Sequence, residues 1–355
     1  MNLRGGVGNG SFGGFARFLE SATASHGKFT ASGGTIGGAS GAIIQLMDTS
    51  NAGERHVRDQ RRCGPGSFGA QATLSGTACA GNGKFTTNGA TAIQSTGGNT
   101  MIVENATAAN ATFTCNAGTV NTAGGGFTGF YDNATAANAA FTVNGASIGP
   151  NEAPGGGFLQ FNDTTTAANA TLVANGGTNG GLGGIIQFVA DSTRGTAQVS
   201  VNASPTGALV FGNGSLDISA HNAPGVTIGS IVGTGDIFLG GVNLTVGSNN
   251  RSTTFSGVIQ DGGLNGGTGG SLTKIGTGRI TLSNANTYTG GTLITGGTLL
   301  IANRTGSTPG SGPVQVSAGV LGGIGIISGS VAVASGPTAA TLAPGSGNKL
   351  GTLFI

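Results

Sequence analysis

Six carboxylates recur in one phase of this chain: Glu20, Asp48, Glu104, Asp132, Asp163 and Asp191. Their period is about 28 residues, skipped once between Asp48 and Glu104 and slightly stretched between Asp132 and Asp163, which is the scale of one unit in a repeat array. Three kinds of chemistry fit such a series. A column of carboxylates can hold calcium. Carboxyl groups across a groove can cleave a polysaccharide. Acidic residues can also start turns and face water. The even spacing favours the turn, because like charges stacked about 5 Å apart repel unless solvated or bound to metal. The calcium nonapeptide G-G-x-G-x-D does not occur as a tandem array, and Gly233-Thr234-Gly235-Asp236 only echoes it.

The other chemistry-bearing residues are scattered. Gly145-Ala146-Ser147-Ile148-Gly149 matches G-x-S-x-G, but a nucleophile elbow needs a strand-to-helix turn, a histidine and an acid. Gly8, Gly10 and Gly13 match the dinucleotide fingerprint without its strand, helix or downstream acid. His26, His56 and His221 are isolated, so each is expected in an exposed turn or loop rather than on zinc. Cys63, Cys79 and Cys115 are an odd number with no close spacing, neither a disulfide framework nor a metal site. Cys79 and Cys115 stand where other copies of a repeat carry Thr or a small residue, and read as packed thiols. These readings predict no catalytic, cofactor-binding or metal residue and no cofactor.

That repeat is the element that must position everything else. Residues 106–113 read ATAANATF, 134–141 ATAANAAF and 165–172 TTAANATL, with weaker copies at 22–29 and 78–85. In phase with the carboxylates come Phe29, Phe85, Phe113, Phe141 and Leu172, then Asn88, Asn116, Asn144 and Asn175 three residues later. Short alternating runs such as Ala140-Phe141-Thr142-Val143 put every second side chain on one face. One copy cannot bury that face; stacked copies can, with identical residues about 4.8 Å apart and asparagines forming ladders. Gly and Asn are expected to supply the positive φ of the corners. The array is assigned to 1–195. From 196 to 355 strand-like triplets follow about every 8–12 residues with turn signals and no helical pattern.

Composition agrees. Of 355 residues 74 are glycine, only 7 % are charged, and the net charge is +2, which gives no case for nucleic acid. Nine prolines and little charge exclude a disordered chain, and clustered glycines exclude collagen. Glu and Lys are too scarce for a helical bundle. No run of 18 apolar residues spans a membrane. MNLRGGVGNG lacks the apolar core of a signal peptide.

Residues 254–301 closely resemble the autotransporter-associated β-strand repeat of bacterial passenger regions. The matching residues are Leu272, Lys274, Gly276, Gly278, Leu282, Asn286, Tyr288, Gly290, Gly291, Thr292, Gly297 and Leu299. Leu321-Gly322-Gly323, Ile327-Ser328-Gly329 and Leu342-Ala343-Pro344-Gly345 look like its usual continuation. The resemblance implies a right-handed parallel β-helix, all-β, exported and displayed at the cell surface. Family members carry an export signal and a C-terminal translocator. Neither is recognisable here, so a fragment of a longer surface protein is expected. The expected function is a non-enzymatic stalk or adhesin-like display segment, with a host or environmental surface or polysaccharide as partner. A carbohydrate-active β-helix enzyme and a degraded gene fragment are the alternatives.

One stretch breaks the repeat. Residues 53–63, GERHVRDQRRC, hold four of the fourteen basic residues. They read as a basic patch, a solvated loop or a frameshift. A permitted codon choice read one base later gives ANATFATNGGA, the repeat consensus, with Phe at position 57 and Asn at 60, where the phase of Asp48 requires them.

Overall fold

The computed structural model describes residues 1–24, 28–54, 56–60, 64–147, 155–206, 211–335, 339–346 and 349–355. The described residues form β-strands and turns with no helix. Contacts divide the chain into two compact units, Met1–Gln187 with Ala203–Ser215 and Phe188–Asn202 with Leu216–Ile355.

In the first unit each repeat copy makes one coil. Its first sheet stacks Lys28–Ser32, His56–Gln60, Lys84–Thr87, Thr112–Cys115, Ala140–Val143 and Thr171–Ala174, all parallel. Its second stacks Phe15–Phe18, Ile43–Leu46, Gln71–Leu74, Asn99–Ile102, Phe127–Phe130 and Phe158–Phe161, also parallel. The third side is a column of single bridges through Thr23, Asn51, Cys79, Thr107, Thr135 and Thr166.

The consensus ATAANATF reads directly onto this coil. In the copy at 106–113, Ala106, Ala108, Ala111 and Phe113 point inward and are buried, while Thr112 is exposed. Phe85, Phe113 and Phe141 stack with ring centroids 4.7 and 4.8 Å apart and planes within 11°. Leu172 continues the column at the next coil. Each large buried side chain contributes about 1.5–3 kcal/mol, and each ring pair about 0.5–1.5 more. Val57 stands in the same column, paired with Phe29 on one side and Phe85 on the other, and is buried. The phase deduced from Asp48 therefore places a core position at 57; Arg55 and residues 61–63 lie outside the described residues.

Positive φ angles fall on residues the composition does not suggest. Beside glycines, the corners use Glu20, Asp48, Glu104, Asp132 and Asp163 in one column and Ala109, Ala137 and Ala168 in another. Many glycines serve close approach instead. A Cβ on Gly97 would lie 2.1 Å from the Gly125 carbonyl oxygen, and one on Gly125 would lie 1.8 Å from that of Gly156. Glycine still takes the positive φ at most places, so the expectation that Gly and Asn make the corners is corrected only for these acid and alanine columns.

The second unit has shorter, uneven coils. One parallel sheet runs Gly225–Ile228, Asn243–Val246, Ser271–Lys274, Thr292–Ile294, Val314–Val316 and Val331–Val333. Another includes Ser230–Gly233, Thr253–Phe255, Arg279–Leu282, Thr298–Ile301, Gly319–Gly323 and Ala340–Ser346. Asp236–Phe238 pairs with Val258–Gln260 on a third side. Buried Leu, Ile and Val fill the interior, with Phe188, Phe255 and Tyr288 the large rings. Parallel sheets stacked this way are those of a parallel β-helix.

Candidate functional site

The carboxylate column is built by hydrogen bonds between coils. The Glu20 N–H donates to Asp48 Oδ2 at 2.9 Å, the Glu104 N–H to Asp132 Oδ2 at 2.9 Å, and the Asp132 N–H to Asp163 Oδ2 at 3.0 Å. Gly76 fills the place left between Asp48 and Glu104, at φ 70°, and its N–H donates to Glu104 Oε2 at 2.6 Å. Asp48, Glu104, Asp132 and Asp163 thus each hold the left-handed corner of the preceding coil and are exposed to water on the other side. No group of three or more His, Cys, Asp or Glu could hold a metal ion among the described residues.

Asp191 is not part of this column. The strand Ile185–Phe188 is followed by Ala190 at φ 54°, and Asp191 stands one residue past that corner. It accepts Asn222 Nδ2 at 3.1 Å. Its apparent place in the series is an accident of a slightly shorter coil.

Asparagines form the expected ladder. Asn116 Nδ2 donates to Asn88 Oδ1 at 2.8 Å, Asn144 to Asn116 at 2.8 Å, and Asn175 to Asn144 at 2.9 Å. A second, exposed ladder joins Asn169 to Asn138 and Asn138 to Asn110, each at 3.2 Å. On the third side the Ala109 and Ala137 N–H groups donate to Thr107 Oγ1 and Thr135 Oγ1 at 3.0 and 3.1 Å. Cys79 holds that same position, its Sγ accepting from the Gly81 N–H at 3.3 Å. Cys115 is buried in the first sheet and donates to Thr128 Oγ1 at 3.1 Å; burial pushes its thiol up to about 12.

The remaining candidates separate. His56 is exposed; His26 lies outside the described residues. His221 departs from expectation: it is 9 % exposed, with Nδ1 2.6 Å from the Asn222 carbonyl oxygen and Nε2 2.7 Å from that of Ser192. It links coils, because its bridge to Ala190 draws the ring under the Ser192 turn. Ser147 is exposed, and Ile148 and Gly149 lie outside the described residues. Around Gly8 and Gly10, Ser11 Oγ closes a local turn on Gly8 at 2.6 and 2.8 Å, with no helix following.

The residues carrying the family resemblance divide the structural work of the second unit. Leu272, Leu282 and Leu299 fill the core. Lys274 occupies an inward position between Val246 and Ile294. Fully buried, its Nζ donates to the carbonyl oxygens of Ile275 at 2.5 Å, Gly296 at 3.1 Å and Gly276 at 3.3 Å. Loss of hydration lowers its pKa to about 8. Gly276 takes φ 70°, and a Cβ there would lie 2.1 Å from the Gly247 oxygen. Gly297, at φ 65°, leaves space that Lys274 Nζ approaches, 2.7 Å from where a Cβ would sit. Gly278 and Gly290 are packed against the backbone of neighbouring coils, and Gly291 takes φ 97°. Asn286 spans coils: Oδ1 accepts the Ile259 N–H at 2.7 Å, and Nδ2 donates to the Thr308 carbonyl. Tyr288 is fully buried, its hydroxyl 2.5 Å from Thr292 Oγ1, and burial raises its pKa.

Two further carboxylates escape a reading of the sequence. Asp217 is buried and accepts the Ser219 and Leu264 N–H groups, at 2.9 and 2.7 Å. Asp261 accepts the Gly270 N–H at 2.9 Å and the Thr289 hydroxyl at 2.6 Å. Together they pin the glycine-rich turn 262–270. The signal for Asp261 is an Asp immediately before a glycine run.

Residues 272–301 match the family model described as the passenger-associated-transport-repeat. No curated protein and no solved structure matches the chain. The repeat match and the stacked parallel sheets are consistent with an autotransporter passenger region built of repeats, which implies a cell-surface or secreted parent protein. No helix among the described residues is long and apolar enough to cross a membrane.

Proposed function

We propose that this chain is a non-enzymatic display segment, a stalk or adhesin-like scaffold in an exported bacterial surface protein. One observation carries the reading: the recurring polar groups are spent on holding coil to coil. The corner carboxylates bind backbone N–H groups, the asparagines bind each other, and Lys274 binds carbonyl oxygens. A hydrolase would instead aim acids of different pKa at one point in a groove. Rigidity and reach come from the stacking itself, since each coil is stabilised by its two neighbours.

The test places the chain between an export signal and a translocator barrel, with an epitope at its N-terminal end. The display reading expects the epitope to be reached by antibody and protease on intact cells. It also expects Gly276→Val, which puts a branched side chain against the Gly247 carbonyl, to reduce surface epitope while the barrel level holds. Retention of the unsubstituted chain inside the envelope, or turnover of a polysaccharide by the purified chain, would overturn it.

A further inference from the structure

The outer face of the second sheet in the first unit carries a slot open to solvent. Gln71, Asn99 and Phe127 occupy one outward register position on three consecutive coils. Phe68, 52 % exposed, and Phe127 both line the slot, which has a volume of about 620 Å³. Gln94 adds an amide and Thr96 a hydroxyl, whose oxygen also accepts the Gly69 N–H at 3.0 Å. No charged side chain lines this slot.

Asn99 adds an independent sign. Its Oδ1 is buried in the slot wall without a hydrogen-bond partner, a state that costs about 1–3 kcal/mol. A hydroxyl donor arriving from the slot, with a small turn of the Asn99 amide, would satisfy it. The same outward column continues with Phe158, whose ring stacks on Phe127 at 5.8 Å. Gln160 and Gln187 follow on the neighbouring column, joined at 2.7 Å. Aromatic and amide side chains therefore extend beyond the slot along the stacking direction.

We infer that this slot binds a neutral polysaccharide strand. Aromatic rings match the apolar faces of sugar rings, amides and hydroxyls match their hydroxyl groups, and the uncharged lining gives an anionic or cationic chain no counter-charge. A slot that crosses three coils and is open to solvent suits an extended chain rather than a compact metabolite. This inference goes beyond the display reading and stands without it, because binding belongs to the purified chain and not to its export.

The experiment is native affinity electrophoresis of the purified full chain in gels holding β-glucan, xyloglucan, galactomannan or dextran, with polygalacturonate as the anionic comparison. At least one neutral polymer should retard the chain. Phe127→Ala and Phe68→Ala should each weaken that retardation about three- to tenfold, the loss expected for one aromatic contact. Phe68 is exposed, so its variant keeps the test valid if Phe127→Ala unfolds. Phe354→Ala, at a 59 % exposed ring outside the slot lining, should leave binding unchanged. Retardation by no neutral polymer overturns the inference. So does retardation by polygalacturonate alone, or neutral retardation that survives both slot substitutions.

Discussion

Replacing Asn116 by alanine should be among the most costly changes available at a half-buried polar position of the first unit. Asn116 donates to Asn88 Oδ1 and accepts from Asn144 Nδ2, both at 2.8 Å. Removing both bonds forfeits roughly 1 kcal/mol each, and Asn88 Oδ1 and Asn144 Nδ2 lose a partner at a half-buried site, adding about 1–2 kcal/mol. The expected total is about 3–4 kcal/mol. Asn138 offers an internal comparison: it too sits in a ladder with one bond up and one down, but the bonds are 3.2 Å and exposed to water. Its alanine variant should cost under about 1 kcal/mol, since water replaces what is lost. Urea unfolding followed by circular dichroism gives the totals. Amide exchange then locates them, and protection should fall in the coils containing Asn88, Asn116 and Asn144 before it falls elsewhere, because interface energies in a stacked array are local. Equal costs at Asn116 and Asn138, or a loss of protection spread evenly over the unit, would refute the ladder as a source of stability.

The pH dependence of stability tests Lys274. With its pKa near 8 in the fold and 10.5 in the unfolded chain, the unfolded state binds more protons between those values, so stability rises with pH across that window by up to about 3 kcal/mol. Cys115, raised from 9 to about 12, works in the opposite direction above pH 9, so the slope is read as wild type minus Lys274→Met; a difference independent of pH between 8 and 10 would count against the buried ammonium. In native protein Cys115 should resist an alkylating reagent at pH 8 until the fold is opened in urea, as mass spectrometry of the labelled peptide would report; prompt labelling would contradict its burial. Replacing residues 53–63 by ANATFATNGGA should raise urea stability by about 2–4 kcal/mol, through two ring contacts at position 57 and greater apolar burial, and genomic codons that yield no such peptide in the shifted frame would end the frameshift reading.

What can be read in the sequence is whatever repeats identically. Phe113 over Phe141 and Asn116 under Asn144 are legible, because stacking puts like on like and a constant step fixes the register. Lys274 and Asn286 are legible as motif positions, yet nothing in their spacing says that one caps three carbonyl groups and the other spans coils. Asp191 misleads because a slightly shortened coil shifts every later position without changing the local pattern. The corners at Ala109 and Ala137 are hidden for a different reason. Local preference points to Gly or Asn for positive φ, whereas here a threonine two residues earlier offsets the strain through a hydrogen bond. His221 reads as exposed in the sequence because the contact of its Nε2 comes from Ser192, 29 positions away. The slot at Phe68, Asn99 and Phe127 needs three coils side by side, so no single copy displays it.

The central claim is that the repeat copies are in-register parallel coils. It is tested most directly by spin labels in a cysteine-free chain, attached at the exposed positions Thr112, Ala140 and Thr171. Thr112 pairs with Ala140, and Ala140 with Thr171 across the longer coil that follows. Both pairs should sit about 5 Å apart at the backbone and show strong dipolar broadening. A label pair at Ala140 and Ala168, as far apart in sequence as Thr112 and Ala140 but out of register, should show clearly less. Equal or stronger broadening for Ala140 with Ala168, or none for Thr112 with Ala140, would contradict the stacked-coil account.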